Sequence, residues 1–173
     1  MILWLNGPFG VGKSSTAAEL LRREPGAQQY DPERLGWVLQ RTIGVFRPGD
    51  FQDLRAWRRG TIRGVARRAR SASTVVVPMT LLAPEYADEI LSGLRERGLE
   101  FRHVTLHGSS DALRRRIAAD TDDPGAKDWR LGQLSRYEAV ASSLAERGPV
   151  IDTDALSRDE VATAVQASLV EQH

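Results

Sequence analysis

The sequence contains no cysteine, and this absence excludes disulfide scaffolds, cysteine-ligated zinc modules and cysteine nucleophiles. It also contains no long apolar run, so we expect no stable insertion into a membrane. The first residues, MILWLNG, lack the basic region and cleavage site of a secretory signal, so we expect a cytoplasmic protein. Neither sign of charge is in large excess, because the chain has 24 basic and 23 acidic residues. That balance gives no electrostatic reason to expect nucleic acid as a partner.

The residues that are present are typical of one globular domain. A length of 173 residues fits a single domain over 1–173, and 41% hydrophobic residues are too many for a disordered chain. Lysine is rare, since 22 of the 24 basic residues are arginine and only Lys13 and Lys127 are lysine. We give the arginine bias no functional weight by itself.

Short apolar runs alternate with segments of helical periodicity along the chain. The predicted strands are Ile2–Leu5, Ala27–Tyr30, Thr74–Met79, Phe101–Leu106 and Val150–Asp152. The predicted helices are Lys13–Arg23, a helix capped by Asp31, Asp53–Arg70, Pro84–Arg97, Ser110–Asp120, Trp129–Glu146 and Ser157–Val170, with loops at 44–50 and 121–127. This alternation predicts an α/β fold, in which helices cover both faces of a five-stranded parallel sheet.

The first predicted strand leads into a phosphate-binding motif. The segment from Gly7 to Ser14 reads G-P-F-G-V-G-K-S, which fits the pattern G-x-x-x-x-G-K-[ST] between a strand and a helix. Backbone N–H groups of such a loop point at phosphate oxygens, and the next helix adds its positive end. Lys13 is expected to reach the β- and γ-phosphates of ATP, and the Ser14 hydroxyl to ligate Mg²⁺. The predicted nucleotide-binding residues here are Gly7, Phe9, Gly10, Val11, Gly12, Lys13, Ser14 and Ser15.

A glycine-rich turn without a chemical role is the alternative interpretation of this segment. One of only two lysines in the chain occupies the position at which the motif requires a compact ammonium group. That coincidence favours the phosphate site.

Further motifs follow the phosphate loop. They are W-L-N-G-x-F-G-x-G-K at 4–13, Y-D-P-E at 30–33, D-F-Q at 50–52, V-P-M-T at 77–80 and P-E-Y at 84–86. In this combination and order the chain resembles the tunicamycin-resistance proteins, within the P-loop proteins similar to nucleoside monophosphate kinases. The resemblance implies an ATP-binding protein that confers resistance to a uridine-containing nucleoside antibiotic. It also implies a P-loop NTPase sheet with the strand order 2-3-1-4-5.

Two positions bear on whether such a protein is a catalyst. The third strand ends at Met79 and Thr80, without the acidic residue that usually orders water around Mg²⁺ in P-loop enzymes, and Thr80 is the only polar substitute. Asp31 follows the second strand, where kinase-like relatives place a carboxylate that holds Mg²⁺-bound water or accepts the proton of the substrate hydroxyl. The alternative is that Asp31 only caps its helix.

Arginines provide candidates for a lid and for an adenine site. The polar segment 120–130 is predicted to form a small mobile lid, with Arg130 or, preferably, Arg136 supplying charge to the transferring phosphoryl group. In the kinase-like group an arginine after the fourth strand packs on adenine, which predicts Arg115 as a nucleotide contact. An exposed helix surface is the alternative for Arg115.

The predicted acceptor site combines apolar and charged side chains. Arginines recur every four residues along the predicted helix that begins at Asp53, at positions 55, 59, 63 and 67. They could form a phosphate-binding wall for an anionic substrate, but we favour the interpretation that they form a solvated face of the helix. Arg58 is the member expected nearest the cleft. The full set of predicted acceptor contacts is Asp31, Trp37, Phe51, Arg58, Met79 and Thr80. His103 and His107 lack a third ligand at a suitable spacing, so we predict no metal site there.

The sequence therefore supports two functions of different classes. The first is γ-phosphoryl transfer from ATP–Mg²⁺ to a hydroxyl of a nucleoside-like small molecule, with Lys13, Asp31 and Arg136 as catalytic residues. The second is a non-catalytic protein that binds ATP and sequesters the drug. Asp31 and the lid favour the first function, and the missing acid after the third strand favours the second. The oligomeric state stays open.

Overall fold

A parallel sheet of five strands lies at the centre of the fold. The computed structural model describes residues 1–42, 50–121 and 124–170, without the side chains of 40–42 and 124. The strands are β1 (Ile2–Asn6), β2 (Gln28–Gln29), β3 (Val75–Pro78), β4 (Phe101–His107) and β5 (Val150–Asp152). All neighbouring strands pair in parallel, in the order β2-β3-β1-β4-β5. The predicted fold class and strand order are confirmed.

In the described residues, seven helices connect and cover these strands. They are α1 (Lys13–Arg23), α2 (Pro32–Thr42), α3 (Arg55–Arg68), α4 (Pro84–Arg95), α5 (Ser110–Ala119), α6 (Lys127–Ala145) and α7 (Arg158–Val170). Helix α3 begins later than predicted, because the Asp50 side chain accepts a hydrogen bond from the Gln52 N–H at 3.0 Å and starts a separate 3₁₀ turn, Phe51–Asp53. The rest of the predicted loop at 44–50 lies outside the described residues.

The central strand β1 is buried on both faces. Leu3 and Leu5 face a core formed mainly with α1, α5 and α7, whereas Ile2 and Trp4 face a second core formed with α3 and α4. Each of these four side chains is at most 1% exposed. A strand between two layers of helices needs apolar side chains at every position, which explains the uninterrupted apolar run that begins the sequence.

The strand order brings three connections to one edge of the sheet. The loop after β1 lies beside the segment after β3 on one side and the segment after β4 on the other, since β1 pairs with both strands. In open α/β sheets this edge, at the carboxyl ends of the strands, is where ligands bind. No helix in the described ranges is long and apolar enough to cross a membrane.

Candidate functional site

The loop between β1 and α1 has the backbone of a phosphate cradle. Gly7, Gly10 and Gly12 have φ angles of 133°, 78° and 100°, values that residues with a Cβ atom rarely adopt. At Gly7 a Cβ would also stand 2.3 Å from the Leu106 carbonyl oxygen, so no other residue fits there. Gly12 directly precedes α1, whose N–H groups and positive end therefore face the loop. This geometry fits a bound phosphate chain.

Asn6 anchors the start of this loop. Its side chain is fully buried, and its Oδ1 accepts hydrogen bonds from the N–H groups of Gly7 at 2.8 Å and Leu81 at 2.9 Å. Its Nδ2 donates to the Leu81 carbonyl at 2.9 Å and lies 3.2 Å from His103 Nε2. Burial lowers the pKa of His103 to about 4, so its neutral ring can accept that bond. Asn6 thus joins β1, β4 and the segment after β3, a role that our sequence reasoning missed.

The Lys13 ammonium group lies inside the phosphate loop. Its Nζ donates to the carbonyl oxygens of Gly7 at 3.0 Å and Pro8 at 2.7 Å, and stands 5.4 Å from the centre of the Phe9 ring. Burial lowers the pKa of Lys13 from 10.5 to about 7. The Glu33 carboxylate opposes this shift, and the Arg130 guanidinium adds to it. A phosphate oxygen in the loop would restore the charge of the ammonium.

Two carboxylates lie at the start of α2: Asp31 directly precedes the helix and Glu33 lies in its first turn, and the sequence analysis named only Asp31 as a site residue. Asp31 Oδ1 accepts the Glu33 N–H at 2.9 Å, so Asp31 caps α2 as the alternative interpretation held. Glu33 interacts electrostatically with Lys13 and Arg130, and burial, with Asp31 nearby, raises the pKa of Glu33. The motif Y-D-P-E contains both acids and could have pointed to Glu33. A catalytic role for Asp31 stays a prediction.

An open cleft lies beside the phosphate loop. Three parts of the chain line it together with Phe9 of the loop: the segment 50–53, the segment after β3 with the start of α4, and the first turns of α6. Its lining side chains are those of Phe9, Asp50, Gln52, Asp53, Thr80, Leu82, Ala83, Tyr86, Trp129, Gln133 and Arg136. Because Phe9 of the phosphate loop lines the cleft, a small molecule bound there would lie close to that loop.

Polar groups of the cleft are held in place by defined hydrogen bonds. The Thr80 hydroxyl donates to the Gly7 carbonyl at 2.9 Å, and the Tyr86 hydroxyl donates to Asp53 Oδ1 at 2.9 Å. Arg136 Nη1 donates to Gln133 Oε1 at 2.8 Å. Burial raises the pKa of Asp50, although its hydrogen bond from Gln52 opposes the shift. The predicted residues Thr80 and Arg136 therefore meet at this cleft.

The structure places four other predicted acceptor contacts elsewhere. Met79 is 2% exposed in the core beneath α3 and α4. The Phe51 ring packs on Trp57 and against Gly36, because the 3₁₀ turn directs it toward α2 and α3. Trp37 is exposed on α2 and does not line the described cleft. Arg58 is buried and paired with Glu89, so its guanidinium does not face the cleft.

On helix α5, Arg116 and not the predicted Arg115 makes the hydrogen bonds to the neighbouring loop. Arg115 is exposed, whereas Arg116 beside it donates to the Thr153 hydroxyl at 2.9 Å and to the Thr153 carbonyl at 2.8 Å. Arg116 therefore joins α5 to the loop after β5, and an adenine contact by Arg115 stays a prediction. The arginine side chains at 55, 59, 63 and 67 are exposed, as expected for a solvated face of α3.

The predicted lid at 120–130 includes the first turn of α6. Residues 122 and 123 lie outside the described residues, and a 3₁₀ turn at Pro124–Ala126 precedes α6. Arg130 forms an ion pair with Asp120 at 2.7 Å, and the Trp129 ring meets the Phe9 ring edge-on at 5.0 Å. The segment thus contacts the phosphate loop directly. Its closure over a nucleotide stays a prediction.

The residues near the loop have the chemistry that Mg²⁺ requires. Ser14 is exposed in the first turn of α1, Asp31 directly precedes α2, and Glu33 in the first turn of α2 interacts electrostatically with Lys13. Hydroxyl and carboxylate oxygens are ligands that Mg²⁺ accepts, directly or through water. No group of three or more His, Cys, Asp or Glu side chains suited to a metal ion occurs in the described part of the chain, so water and nucleotide would have to complete the coordination.

Comparisons with known proteins agree with this geometry. A sequence model for the family described as "AAA domain" matches residues 2–144. The tunicamycin resistance protein of Deinococcus radiodurans is similar in structure, with a TM-score of 0.78 and 28% identity over 97% of this chain and 94% of that chain. This similarity confirms the resemblance that the sequence motifs indicated. A comparison with curated proteins finds no match.

Small-molecule kinases share the fold at lower identity. A gluconokinase from Sinorhizobium meliloti 1021 has a TM-score of 0.67 and 20% identity, over 98% of this chain and 91% of that chain. A shikimate kinase from Bacteroides thetaiotaomicron has a TM-score of 0.66 and 18% identity, over 99% and 98%. From its P-loop geometry and the match over most of its length, the chain belongs to the AAA domain family and has a P-loop kinase-like fold.

Proposed function

We propose that the protein binds ATP with Mg²⁺ in the phosphate loop and transfers the γ-phosphoryl group to a hydroxyl of a nucleoside-like small molecule. Tunicamycin is the compound to test, since a similar structure is that of a tunicamycin resistance protein. The observation that carries the proposal is the open cleft beside the loop, where polar side chains of three segments converge next to Phe9. A protein that only binds nucleotide has no need of such a second site.

The proposed reaction joins the acceptor hydroxyl oxygen to the γ-phosphorus and breaks the bond from that phosphorus to the β–γ bridging oxygen. Lys13 binds the β- and γ-phosphates, and its ammonium charge stabilises the transferring group. Mg²⁺, when bound through Ser14, neutralises charge on the phosphate oxygens. Asp31 accepts the hydroxyl proton, and Glu33 keeps Lys13 charged through its own carboxylate. Arg136 faces the cleft from α6 and supplies a second positive charge.

A second function is supported by one specific observation. No acidic residue follows β3, and the hydroxyl of Thr80 at that place already donates to the Gly7 carbonyl. P-loop enzymes that transfer phosphoryl groups rapidly use a carboxylate here to order Mg²⁺-bound water. Slow or absent transfer would leave a protein that binds ATP and sequesters the drug.

Transfer of label from ATP separates the two functions. The protein is incubated with γ-labelled ATP, Mg²⁺ and tunicamycin, and the drug is separated and counted. Phosphoryl transfer predicts label on the drug with the parent protein and none with Lys13→Met, while the exposed variant Arg63→Met retains full activity. Calorimetric binding of tunicamycin without any label on it would establish sequestration instead. Neither label nor binding would overturn both functions for this drug.

A further inference from the structure

Arg58 differs from every other arginine of α3. The arginines at 55, 59, 63, 67 and 68 are exposed, but Arg58 is 6% exposed. Its Nε donates to Glu89 Oε2 at 2.6 Å, and its Nη1 donates to the Gln52 carbonyl at 2.6 Å. Its guanidinium also lies 4.3 Å from the centre of the Tyr86 ring. A buried charge with three oriented partners holds those partners in one arrangement.

Gln52, the main-chain partner of Arg58, belongs to the acceptor cleft. It lies in the 3₁₀ turn Phe51–Asp53, and its side chain is buried and lines the cleft between Asp50 and Asp53. Its side-chain amide donates to the Thr80 carbonyl at 3.1 Å. The turn is therefore held by Arg58 on one side and by the segment after β3 on the other.

The same hydrogen bonds continue to the phosphate loop. Thr80, whose carbonyl accepts from Gln52, donates its own hydroxyl to the Gly7 carbonyl at 2.9 Å. Tyr86, on which the Arg58 guanidinium lies, donates to Asp53 Oδ1 at 2.9 Å. Hydrogen bonds thus run without interruption from Arg58 through Gln52 and Thr80 to Gly7.

We propose that Arg58 is a positioning residue for the acceptor: it acts through Gln52 and Tyr86 to place the turn 50–53 against the phosphate loop, and does not itself contact the acceptor. The inference rests on the proposed function for its account of what the cleft binds. It departs from the sequence expectation, in which Arg58 contacts substrate directly. Lysine cannot replace Arg58 in this role, because arginine donates to Glu89 and to the Gln52 carbonyl from two separate nitrogens, whereas lysine has one.

The test compares Arg58→Lys with Arg59→Lys, a matched change at the exposed neighbouring residue. Amide hydrogen exchange over 50–54 is measured first, without nucleotide or drug. We expect exchange in this segment to become at least about tenfold faster in Arg58→Lys and to stay unchanged in Arg59→Lys. Unchanged exchange in Arg58→Lys would overturn the inference.

Steady-state kinetics with tunicamycin and ATP is the second measurement. We expect Arg58→Lys to raise the KM for tunicamycin about tenfold or more, with the KM for ATP within about twofold of the parent. Equal effects on both substrates, or no effect on either, would make Arg58 a structural residue only. The variant Glu89→Met should show the same split, because Glu89 does not line the cleft and the change removes the carboxylate that orients the Arg58 Nε. It therefore serves if Arg58→Lys folds poorly.

Failure of the proposed function can be distinguished from failure of the positioning role. In that case the parent protein does not label tunicamycin, and the kinetic measurement has no signal in any variant. The exchange measurement then decides alone. Lost protection over 50–54 in both Arg58→Lys and Glu89→Met supports the positioning role, and retained protection refutes it.

Discussion

The shifted pKa of Lys13 leads to a prediction about nucleotide binding that can be checked quantitatively. Lys13 holds phosphate oxygens only as the ammonium, and burial lowers its pKa to about 7. As pH rises through this value the free protein loses the charge, so affinity for ATP must fall. We therefore expect tighter nucleotide binding on the acidic side of neutrality.

The size of the effect follows from the fraction of charged Lys13. With a pKa of about 7, roughly nine-tenths of the free protein carries the charge at about pH 6 and roughly one-tenth at about pH 8. If only the ammonium form binds, the apparent Kd for ATP rises about tenfold over this interval. A lysine with its ordinary pKa of 10.5 would produce no change there.

The scarcity of lysine makes the direct assay simple. Protein labelled with ¹³C at the lysine ε-carbon has two such signals, from Lys13 and Lys127, and Lys13→Met assigns them. Titration should move the Lys13 signal with a midpoint near 7, while calorimetry follows the Kd for ATP over the same pH range. A titration of ATP without protein reports the protonation that comes from ATP itself. A midpoint near 10.5 for Lys13 would refute the reasoning.

Four further outcomes are expected. Removing the Lys13 charge with Lys13→Met should raise the melting temperature, and most strongly below about pH 7. The reason is that the pKa of Lys13 is lower in the folded protein than in the unfolded chain, so its charge destabilises the fold fully below about pH 7 and progressively less up to about pH 10.5. An unchanged or lower melting temperature would contradict this. Asn6→Ala should lower the free energy of unfolding by about 2–4 kcal/mol in urea titrations, because the buried groups of Gly7 and Leu81 lose their partners; a loss below about 0.5 kcal/mol would contradict the anchoring role. Asp31→Asn should leave that free energy nearly unchanged, since asparagine caps equally well, while label transfer falls by roughly 10²–10⁴-fold; full activity would return Asp31 to a capping role alone. Trypsin should cut near Lys127 or Arg130 more slowly with ATP–Mg²⁺, and Arg136→Ala should remove much of that protection; equal cutting rates with and without nucleotide would show that the segment does not close.

Local sequence patterns were sufficient for the fold class and for the phosphate loop, while the strand order was inferred from the family resemblance. Each strand and helix was predicted from periodicity within a few residues of its observed ends, since apolar spacing depends on which side of an element faces the core. The phosphate loop is contiguous, and its glycines, Lys13 and Ser14 occur at spacings that few other structures need. The 3₁₀ turn before α3 was missed, because a turn of three residues has no periodicity to detect and its cap is a single hydrogen bond from the Gln52 N–H to the Asp50 side chain.

The cleft beside the phosphate loop was decided by tertiary structure, because the residues that line and support it are far apart in the chain. Periodicity indicates that a side chain faces inward, but it does not reveal which distant group it meets. Arg58 pairs with Glu89, 31 residues away, and Asn6 meets Leu81 across 75 residues. Met79 was expected at the cleft but lies in the core, since the sequence cannot show which apolar side chains the helices cover. The sequence by itself thus determined the phosphate loop and the fold that presents it, while long-range packing decided which side chains surround the second site.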